Sequence, residues 1–360
     1  MAEQPFDDAR SEAFSGKMVD ILNHASLALM MSIGHKLALF DAMASLPSAT
    51  IPEIAAEAGL QERYVREWMG AMLTGGIVEY DDSADAFTLP PEHAAWLTRQ
   101  AGVNNLAMQT QYIPLLAQVE APLIECFREG GGVPYSSYPA FQRLMAEDST
   151  AVQDTVLLDV TLPLVPGIID RLTDGIDVLD VGCGSGHALN LMAQAFPNSR
   201  FTGYDFSHDG VQAGRDEARR LGLTNVQFEE RDVSKFDDGR KFDFITAFDA
   251  IHDQAKPAQV LKNIATALRP DGTFLMVDIA ASSRMHENIE HPLGPLGYTI
   301  STMHCMTVSL ALGGEGLGAM WGEQKAVEML NAAGFDDVGV TRVEGDFLNN
   351  YYVARRTNVA

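Results

Sequence analysis

The chain has 360 residues, of which 46% are apolar and 21% are charged, and its 49 acids against 25 Lys and Arg give a formal net charge of -24. This length predicts two domains, and the composition excludes an intrinsically disordered chain. Because so negative a surface repels phosphate groups, the charge argues against binding to nucleic acid or to anionic membrane lipid.

Cysteine usage and the N-terminal sequence bear on the cellular setting. Cys126, Cys183 and Cys305 are widely spaced and odd in number, so they predict neither a disulfide framework nor a CxxC metal or redox motif. The N-terminal segment lacks the apolar run of a signal peptide, and no apolar run approaches the roughly 18 residues of a membrane span. We therefore expect a cytoplasmic protein without a membrane-bound segment.

Residues 1–150 are predicted to form a mainly helical domain. Apolar residues recur at helical spacing over residues 21–40 and occupy several faces, which is typical of a buried or interface helix. Such a helix suits the core of a homodimer, and we expect the chain to dimerise through this domain.

A winged-helix pattern follows this helix. Thr50 is positioned to cap a helix, a second helix is predicted over residues 62–73, and strands over residues 77–80 and 87–89 flank an acidic turn. DNA binding is one hypothesis for this pattern, but the charges of the second helix sum to zero and residues 1–150 hold 20 acids against 8 bases. A helix that lies along phosphates usually carries a basic excess, so the charge argues against a DNA-binding role.

Residues 151–360 show short β-branched runs that alternate with helical segments. This alternation predicts an α/β domain, a Rossmann-like parallel sheet with helices on both faces. The last two of its seven strands, residues 338–343 and 351–354, are joined by a turn at residues 344–346 and predict a terminal antiparallel hairpin. The other five strands are predicted at residues 177–181, 200–204, 226–229, 242–248 and 273–279.

A glycine-rich turn joins the first of these strands to a helix. Gly182, Gly184 and Gly186 allow the backbone to approach a ligand closely, and the N-terminus of the helix presents unpaired N–H groups. The dinucleotide motif GxGxxG requires glycine at its sixth position, which here is His187. GxGxG preceded by the acid Asp180 instead resembles the first motif of class I methyltransferases that use S-adenosylmethionine (SAM).

Acids end the next two predicted strands. Asp205 stands where a carboxylate can accept hydrogen bonds from both ribose hydroxyls of a nucleoside. Asp232 and Val233 follow the next strand, at the position where SAM enzymes commonly place an acid against the adenine amino group. The three signals in this order are more specific for SAM than any one of them alone.

Phe248 ends the fourth predicted strand, and Asp249 and His252 follow it, at the carboxyl edge of the sheet where ligands bind in open α/β folds. Since imidazole has an intrinsic pKa near ~6.5, His252 is the candidate general base, although its position alone also suits a structural or capping histidine. Asp278, at the end of the fifth strand, is the candidate acid that orients His252.

The chain as a whole resembles the SAM-dependent small-molecule O-methyltransferases of plants and bacteria, which join a winged-helix dimerisation domain to a Rossmann-like catalytic domain. Residues 141–145 resemble the Phe-Asn-x-x-Met segment of that family, and His252 and Asp253 fall where it has the His-Asp-Trp of its catalytic base. A closer resemblance to a mycobacterial-type branch rests on residues 304–310, 313–318, 321–322 and 349–352.

The resemblance implies how SAM is bound. It places the methionine end at the glycine turn, the ribose at Asp205 and the adenine beside Asp232 and Val233, with Phe248 and Asp249 closing the site. Asp180 and Phe206 complete the predicted cofactor-binding set.

Two departures from the O-methyltransferase pattern concern the chemistry. Gln254 stands where the family has Trp, and Gly313 and Gly314 are not followed by the Glu-Arg-Thr run that helps to orient the base. The resemblance therefore carries the cofactor over to this chain but leaves an O-methyl mechanism open.

Residues 280–322 form too long a segment for a plain connection, and we expect a helical lid over the acceptor pocket. The candidate substrate-binding residues are Tyr138, Arg284, His291 and His304. His286 and His291 stand one residue too far apart for the HExxH zinc motif, so no metal site is expected.

The predicted function is methyl transfer from SAM to a small molecule, with His252 as the base if the acceptor is a hydroxyl. The acceptor atom, O, N, C or S, stays open, and S- or N-methylation by proximity without a base is the alternative. A SAM-responsive winged-helix regulator of DNA is opposed by the charge, and an NAD(P) oxidoreductase is opposed by the missing sixth-position glycine.

Overall fold

The protein is described by a computed structural model over residues 6–236, 239–344 and 346–356. The chain forms two compact units, Met1–Leu115 and Leu116–Ala360. The boundary between these units precedes the predicted domain boundary at residue 150, so residues 116–150 are part of the second unit.

The first unit is helical apart from one two-stranded hairpin. Its elements are α1 (Asp8–Lys36), α2 (Leu39–Ala44), α3 (Ile51–Glu57), α4 (Glu62–Thr74), β1 (Glu79–Asp81), β2 (Ala86–Thr88), α5 (Pro91–Leu97), a 3-10 helix (Arg99–Asn104) and α6 (Leu106–Gln109), with α7 (Tyr112–Ala117) running across the unit boundary.

The predicted winged helix is confirmed as α3, α4 and the β1–β2 hairpin. The backbone N–H and the hydroxyl of Thr50 both donate to the Glu53 carboxylate at 2.8 Å, which fixes the start of α3. Trp68 of α4 is buried and packs edge-on against Phe40 of α2, with ring centroids 5.3 Å apart. A core of aliphatic and aromatic side chains therefore holds this unit together.

The apolar run over residues 21–40 does not form one helix. It breaks after α1, since Ala38 adopts a left-handed φ of 55° and α2 begins at Leu39. Much of α1 is exposed in the single chain, including the side chains of Phe14 and Leu22.

The second unit contains a seven-stranded sheet with helices on both faces. Its elements are α8 (Glu120–Glu129), α9 (Phe141–Val156), α10 (Ile168–Asp174), β3 (Asp177–Val181), α11 (His187–Ala195), β4 (Arg200–Asp205), α12 (His208–Leu221), β5 (Val226–Glu230), β6 (Phe242–Phe248), α13 (Pro257–Ala267), β7 (Leu268–Ile279), α14 (Gly294–Ile300), α15 (Met306–Ala311), α16 (Glu323–Ala332), β8 (Asp337–Thr341) and β9 (Asn349–Arg355). Short 3-10 helices (Tyr135–Ser137, Leu162–Leu164, Val233–Lys235 and Met285–Asn288) and π-helical turns (Leu157–Thr161 and Ser301–Cys305) connect them.

The strand order β5-β4-β3-β6-β7-β9-β8 confirms the predicted fold class. Strands β3 to β7 pair in parallel, and β9 pairs antiparallel with both β7 and β8. The predicted terminal hairpin is therefore present, although Gly345 of its predicted turn lies outside the described residues. Parallel pairing brings the carboxyl ends of β3 to β7 to one edge of the sheet, where the candidate site lies.

Among the described residues, no single helix is both long and apolar enough to cross a membrane. One pair of segments, Phe141–Leu164 and Ile168–Asp174, meets the length and composition criteria only when taken together, and it is bent by 105°.

Candidate active site

The glycine turn after β3 is built from backbone conformations that favour glycine. Gly182, Gly184 and Gly186 have φ angles of 74°, 51° and 73°. A Cβ on Gly182 would lie 2.5 Å from the Cβ of Ala250, and one on Gly186 would overlap the ring of Phe228. A Cβ on Gly184 would point into open space, so this glycine leaves backbone accessible at the carboxyl edge of the sheet.

His187, the residue in the sixth position of the motif, fastens α11 to two other helices. Its Nε2 lies 2.9 Å from Asp154 of α9, and its Nδ1 lies 3.1 Å from Glu217 of α12. This structural role explains why a side chain stands where a dinucleotide fold would need glycine.

Asp205 at the end of β4 stabilises the glycine turn through a hydrogen bond. Its Oδ2 accepts a hydrogen bond from the Gly184 N–H at 2.8 Å, and its Oδ1 accepts one from the Ser207 N–H at 2.7 Å. The side chain is buried, and burial raises the pKa of Asp205. Each carboxylate oxygen retains a further lone pair that can accept a hydrogen bond from a ligand.

Two more predicted cofactor-binding acids have raised pKa values: Asp180, which is buried, and Asp249, which is half-buried. Asp180 accepts a hydrogen bond from the Thr246 hydroxyl at 2.7 Å, and burial raises the pKa of Asp180 to about 7. Asp249 has a left-handed φ of 49°, and burial followed by the negative charge of Asp278 raises the pKa of Asp249 to about 7. The Oδ1 atom of Asp249 has no hydrogen-bond partner among the described residues.

The predicted adenine and closing residues lie at the ends of β4, β5 and β6. Asp232 accepts hydrogen bonds from the N–H and hydroxyl of Ser234 and pairs with Lys235. The side chain of Asp232 is partly exposed. Val233 is buried, Phe206 is exposed and Phe248 is half-buried.

His252 and Asp278 form a buried pair. The Nδ1 atom of His252 lies 2.8 Å from Oδ1 of Asp278, and both side chains are almost fully buried. The same oxygen accepts hydrogen bonds from the Trp321 indole N–H at 3.0 Å and from the Ile279 N–H at 2.8 Å. Because three groups contact this one oxygen, the carboxylate is fixed and orients the imidazole.

The loop residues that replace the Glu-Arg-Thr run do not supply this orienting acid. The only acid among residues 313–318, Glu315, is exposed, and its backbone N–H donates to the carbonyl of Ala255. The acid that contacts His252 comes instead from the end of β7.

The thiol of Cys305 is a second side-chain partner of His252. Burial alone lowers the pKa of His252, but the carboxylate of Asp278 and the adjacent thiol raise it well above the ordinary value of 6.5. Cys305 is itself buried and lies at the end of the π-helical turn Ser301–Cys305.

An aromatic cluster lies beside this pair. The imidazole of His304 stacks on Phe141, with ring centroids 3.5 Å apart and an interplanar angle of 13°. The rings of Tyr138 and Tyr135 approach it edge-on at 4.8 Å and 5.7 Å. Tyr135 also contacts Phe206 edge-on at 5.5 Å, so the cluster extends towards the end of β4.

Two predicted substrate residues lie apart from this cluster. Arg284 is exposed and pairs with Glu287 at 2.9 Å. His291 is engaged by the backbone, since its Nε2 lies 3.1 Å from the Ala280 carbonyl and its Nδ1 accepts from the Leu293 N–H at 3.2 Å. Within the described ranges, no three His, Cys, Asp or Glu side chains are grouped in a way that could hold a metal ion.

Three residues of this region, Trp321, Tyr135 and Cys305, have no role that the sequence alone predicts. Trp321 lies in a segment that carried the branch resemblance, which was the one available signal for it. Cys305 likewise lies in residues 304–310, which carried the same resemblance. Tyr135 belongs to no motif, because its contacts arise only when the segments at residues 135–141 and 301–305 pack together.

Two family models match the chain. An Rv2258c-like winged HTH domain matches residues 25–99, and a methyltransferase domain matches residues 172–334. The chain carries a class I SAM-dependent methyltransferase domain, which follows an Rv2258c-like winged HTH domain in the sequence. The methyltransferase match includes the glycine turn, Asp205, His252 and Asp278.

The chain is similar to curated relatives whose names give different methyl acceptors. It is 30% identical over 120 residues to (S)-tetrahydroprotoberberine N-methyltransferase of Eschscholzia californica, covering 33% of this chain and 34% of the relative. It is 33% identical over 105 residues to the fatty-acid O-methyltransferase of Mycolicibacterium smegmatis, covering 29% and 38%. The match thus spans about a third of the length of these two relatives.

The chain also shares its fold with solved structures over nearly its whole length. Human N-acetylserotonin methyltransferase in complex with SAM superposes with a TM-score of 0.68 at 16% identity, covering 99% of both chains. At this identity the likeness shows the fold alone.

SAM is the cofactor of this fold, and the residues present fit it. SAM carries a positively charged sulfonium and an ammonium group. The site offers the buried carboxylates of Asp180 and Asp205 and the half-buried carboxylate of Asp249 close to an accessible glycine backbone. The Oδ1 atom of Asp249 lacks a donor among the described residues. These carboxylates would bind a ligand that carries positive charge and N–H donors, as SAM does.

Proposed function

We propose that the protein transfers a methyl group from SAM to a hydroxyl group of a small molecule, with His252 as the general base. The observation that carries this proposal is the buried contact of 2.8 Å between His252 and Asp278 at the carboxyl edge of the sheet. SAM, when bound, supplies an electrophilic methyl group. Asp180, Asp205 and Asp249 would hold it together with the glycine turn, Phe206, Asp232, Val233 and Phe248.

The role of the pair follows from its hydrogen bonding. In neutral His252, a proton on Nδ1 donates to Asp278 and leaves the Nε2 lone pair to accept a proton. Asp278 keeps this tautomer in place and stabilises the imidazolium after Nε2 has taken the acceptor's proton. Removal of that proton makes the acceptor oxygen a stronger nucleophile.

The lid would exclude water from this reaction. Residues 280–322 contain α14, the π-helical turn Ser301–Cys305 and α15, and this segment buries His304 and Cys305 beside the base. Exclusion of water protects the deprotonated acceptor from reprotonation by solvent. A closed pocket also aligns the acceptor with the methyl group.

The test is methyl transfer from labelled SAM to a metabolite pool, analysed by mass spectrometry, for the wild type and His252→Ala. We expect the variant to lose about 10² to 10⁴ in turnover while its SAM affinity stays unchanged. His24→Ala, an exposed histidine of α1, is the control and should retain full activity. A loss below about tenfold would refute the role of a base.

Methylation of sulfur or nitrogen by proximity is the second candidate. It is favoured by one observation: Asp278 and Cys305 raise the pKa of His252, and a raised pKa favours the protonated imidazole, which cannot accept a proton. A thioether or neutral amine needs no base, and a small effect of His252→Ala would select this candidate.

Homodimerisation and a cytoplasmic setting are part of the proposal. The exposed apolar side chains of α1 support a second copy of the chain as its partner. The free thiols of Cys126, Cys183 and Cys305 support a reducing compartment. A role in DNA binding finds no such support, because α4 pairs its arginines internally: Arg63 with Glu67 and Arg66 with Glu62.

A further inference from the structure

His304 is a buried polar side chain without hydrogen bonds. It is 1% exposed, and neither of its ring nitrogens has a hydrogen-bond partner among the described residues. More than nine in ten buried polar groups in proteins are paired, so two unpaired nitrogens on one buried ring call for an explanation. A ligand that enters the site can supply both partners.

The imidazole is held in one orientation. Phe141 covers one face of the ring, and the edge-on contacts of Tyr138 and Tyr135 restrict its rotation. Tyr138 is itself fixed, since its hydroxyl donates to the backbone carbonyl of Met303. The ring nitrogens of His304 therefore present hydrogen-bonding groups in fixed directions.

The position of His304 relates it to the reaction. The next residue, Cys305, contacts the candidate base His252, and Tyr135 links the cluster to Phe206 at the end of β4. His304 thus lies between the proposed cofactor side of the site and its base. This is where a methyl acceptor must lie.

The charge of the surroundings restricts what His304 can bind. Burial, followed by the positive charge of His252, lowers the pKa of His304 to about 3, so the ring is neutral and offers one donor and one acceptor. The acids Asp253 and Asp278 lie on the base side of the site, where they disfavour a further negative charge.

We propose that His304 hydrogen-bonds to a second, uncharged polar group of the methyl acceptor. The acceptor class is then a small molecule that carries a neutral hydroxyl, carbonyl or amide beside the group that is methylated, and not a carboxylate. This inference rests on the proposed function, because it assumes that the acceptor binds between His304 and His252.

A first test needs no acceptor. His304→Phe keeps a ring on Phe141 and removes two unpaired nitrogens, so the Tm of the ligand-free protein should equal or exceed that of the wild type. His93→Phe is the matched control, because the Nδ1 atom of His93 lies 2.8 Å from the Ile77 carbonyl and its loss should lower the Tm. A Tm of His304→Phe below that of the wild type would assign His304 a structural role and overturn the proposal.

A second test measures binding of three probes to the complex with S-adenosylhomocysteine by calorimetry. Benzene-1,2-diol has a neutral second polar group, phenol lacks one, and 2-hydroxybenzoate carries a carboxylate. We expect the diol to bind the wild type about fivefold tighter than phenol and tighter than 2-hydroxybenzoate. His304→Phe should remove the preference for the diol, and His304→Gln, which keeps a donor and an acceptor, should restore part of it.

The outcomes separate this inference from the proposed function. Equal binding of diol and phenol, tighter binding of 2-hydroxybenzoate, or no binding of any probe to the wild type would overturn the acceptor class. Failure of S-adenosylhomocysteine itself to bind would overturn the proposed function. The Tm comparison would still report whether His304 is a structural residue.

Discussion

The Oδ2 atom of Asp205 accepts a hydrogen bond from the backbone N–H of Gly184 at 2.8 Å. The acid that the sequence assigns to the cofactor ribose therefore also sets the conformation of the glycine turn. Since Gly184 has a φ of 51° and no side chain to anchor it, this hydrogen bond is a specific restraint on the turn. Asp205 thus has two roles, binding the ribose and holding the glycine turn, and substitutions can separate them.

Asp205→Ala should weaken SAM binding by roughly ten- to a hundredfold, equivalent to about 1.5 to 3 kcal/mol, because it removes both the ligand contact and the brace on Gly184. Asp205→Asn keeps an oxygen that can accept a hydrogen bond from the Gly184 N–H, so it should lose less SAM affinity than Asp205→Ala does. Calorimetric titration with SAM measures both. Asp209→Ala, an exposed acid in the same region, is the control and should bind as the wild type does. Unchanged affinity in Asp205→Ala would remove Asp205 from the cofactor site.

The pH dependence of turnover tests His252 as a base. A base must be deprotonated, so kcat/KM should rise with pH through the pKa of His252, which Asp278 and Cys305 hold above 6.5. Asp278→Asn removes the negative charge at 2.8 Å and should move this rise to lower pH while lowering kcat. A pH profile that is flat between pH 6 and 9, or one that Asp278→Asn leaves in place, would exclude His252 as the group that titrates.

Cys305 supplies a second test of the same group. Cys305→Ala removes the thiol that helps to raise the pKa of His252, so the rise of kcat/KM should again move to lower pH. The shift should be in the same direction as that of Asp278→Asn, but kcat should fall less because Asp278 still orients the ring. A pH profile identical to the wild type would show that Cys305 only fills space.

The sheet could be predicted closely from the sequence because its central strands are buried and carry runs of β-branched residues. The observed bounds of β3 and β6 equal the predicted ones. β7 begins at Leu268, five residues before the predicted start. The prediction starts later because Arg-Pro-Asp-Gly at residues 269–272 is typical of a turn. The break between α1 and α2 was not predicted, since nothing in the composition there marks the left-handed conformation of Ala38.

The site could be predicted only where its residues follow strands. The fold brings strand ends together, so Asp205, Asp249, His252 and Asp278 could be located from their positions after buried runs. Contacts of the lid depend on packing between segments distant in sequence, which no periodicity encodes. Hence the sequence points to His304 but not to its aromatic partners, and it also points to Arg284 and His291, whose side chains contact other groups.

Asp249 should make the ligand-free protein less stable as the pH rises. Its pKa of about 7 in the folded state lies above the ordinary 3.8, so the folded state binds the proton more tightly and loses stability between these two values. Asp249→Asn has no such titration and tolerates the left-handed φ, so its Tm should exceed that of the wild type at pH 8 and differ less at pH 5. A gain of about 1 kcal/mol would raise Tm by roughly 2 to 4 °C in a domain of this size.

The same substitution should weaken SAM binding, because the cofactor's positive charge loses a carboxylate. Thermal unfolding at both pH values, with and without SAM, measures the two effects together. A variant that is less stable than the wild type at pH 8 would show that the Asp249 carboxylate finds a partner in the folded protein, and this would refute its assignment to the cofactor.

Exposed apolar side chains form a stripe along α1. Phe14, Met18, Leu22, Leu29 and Ile33 fall on one face at about 100° per residue, and Leu22 is 64% exposed in the single chain. Leu22→Glu places a charge in the middle of this stripe and should convert a dimer into monomers, measured by sedimentation at micromolar concentration. Ala13→Glu, an exposed position on the opposite face of the same helix, adds the same charge outside the stripe and should leave the dimer intact. If the wild type sediments as a monomer, or if both variants remain dimeric, the second copy of the chain is not the partner of α1.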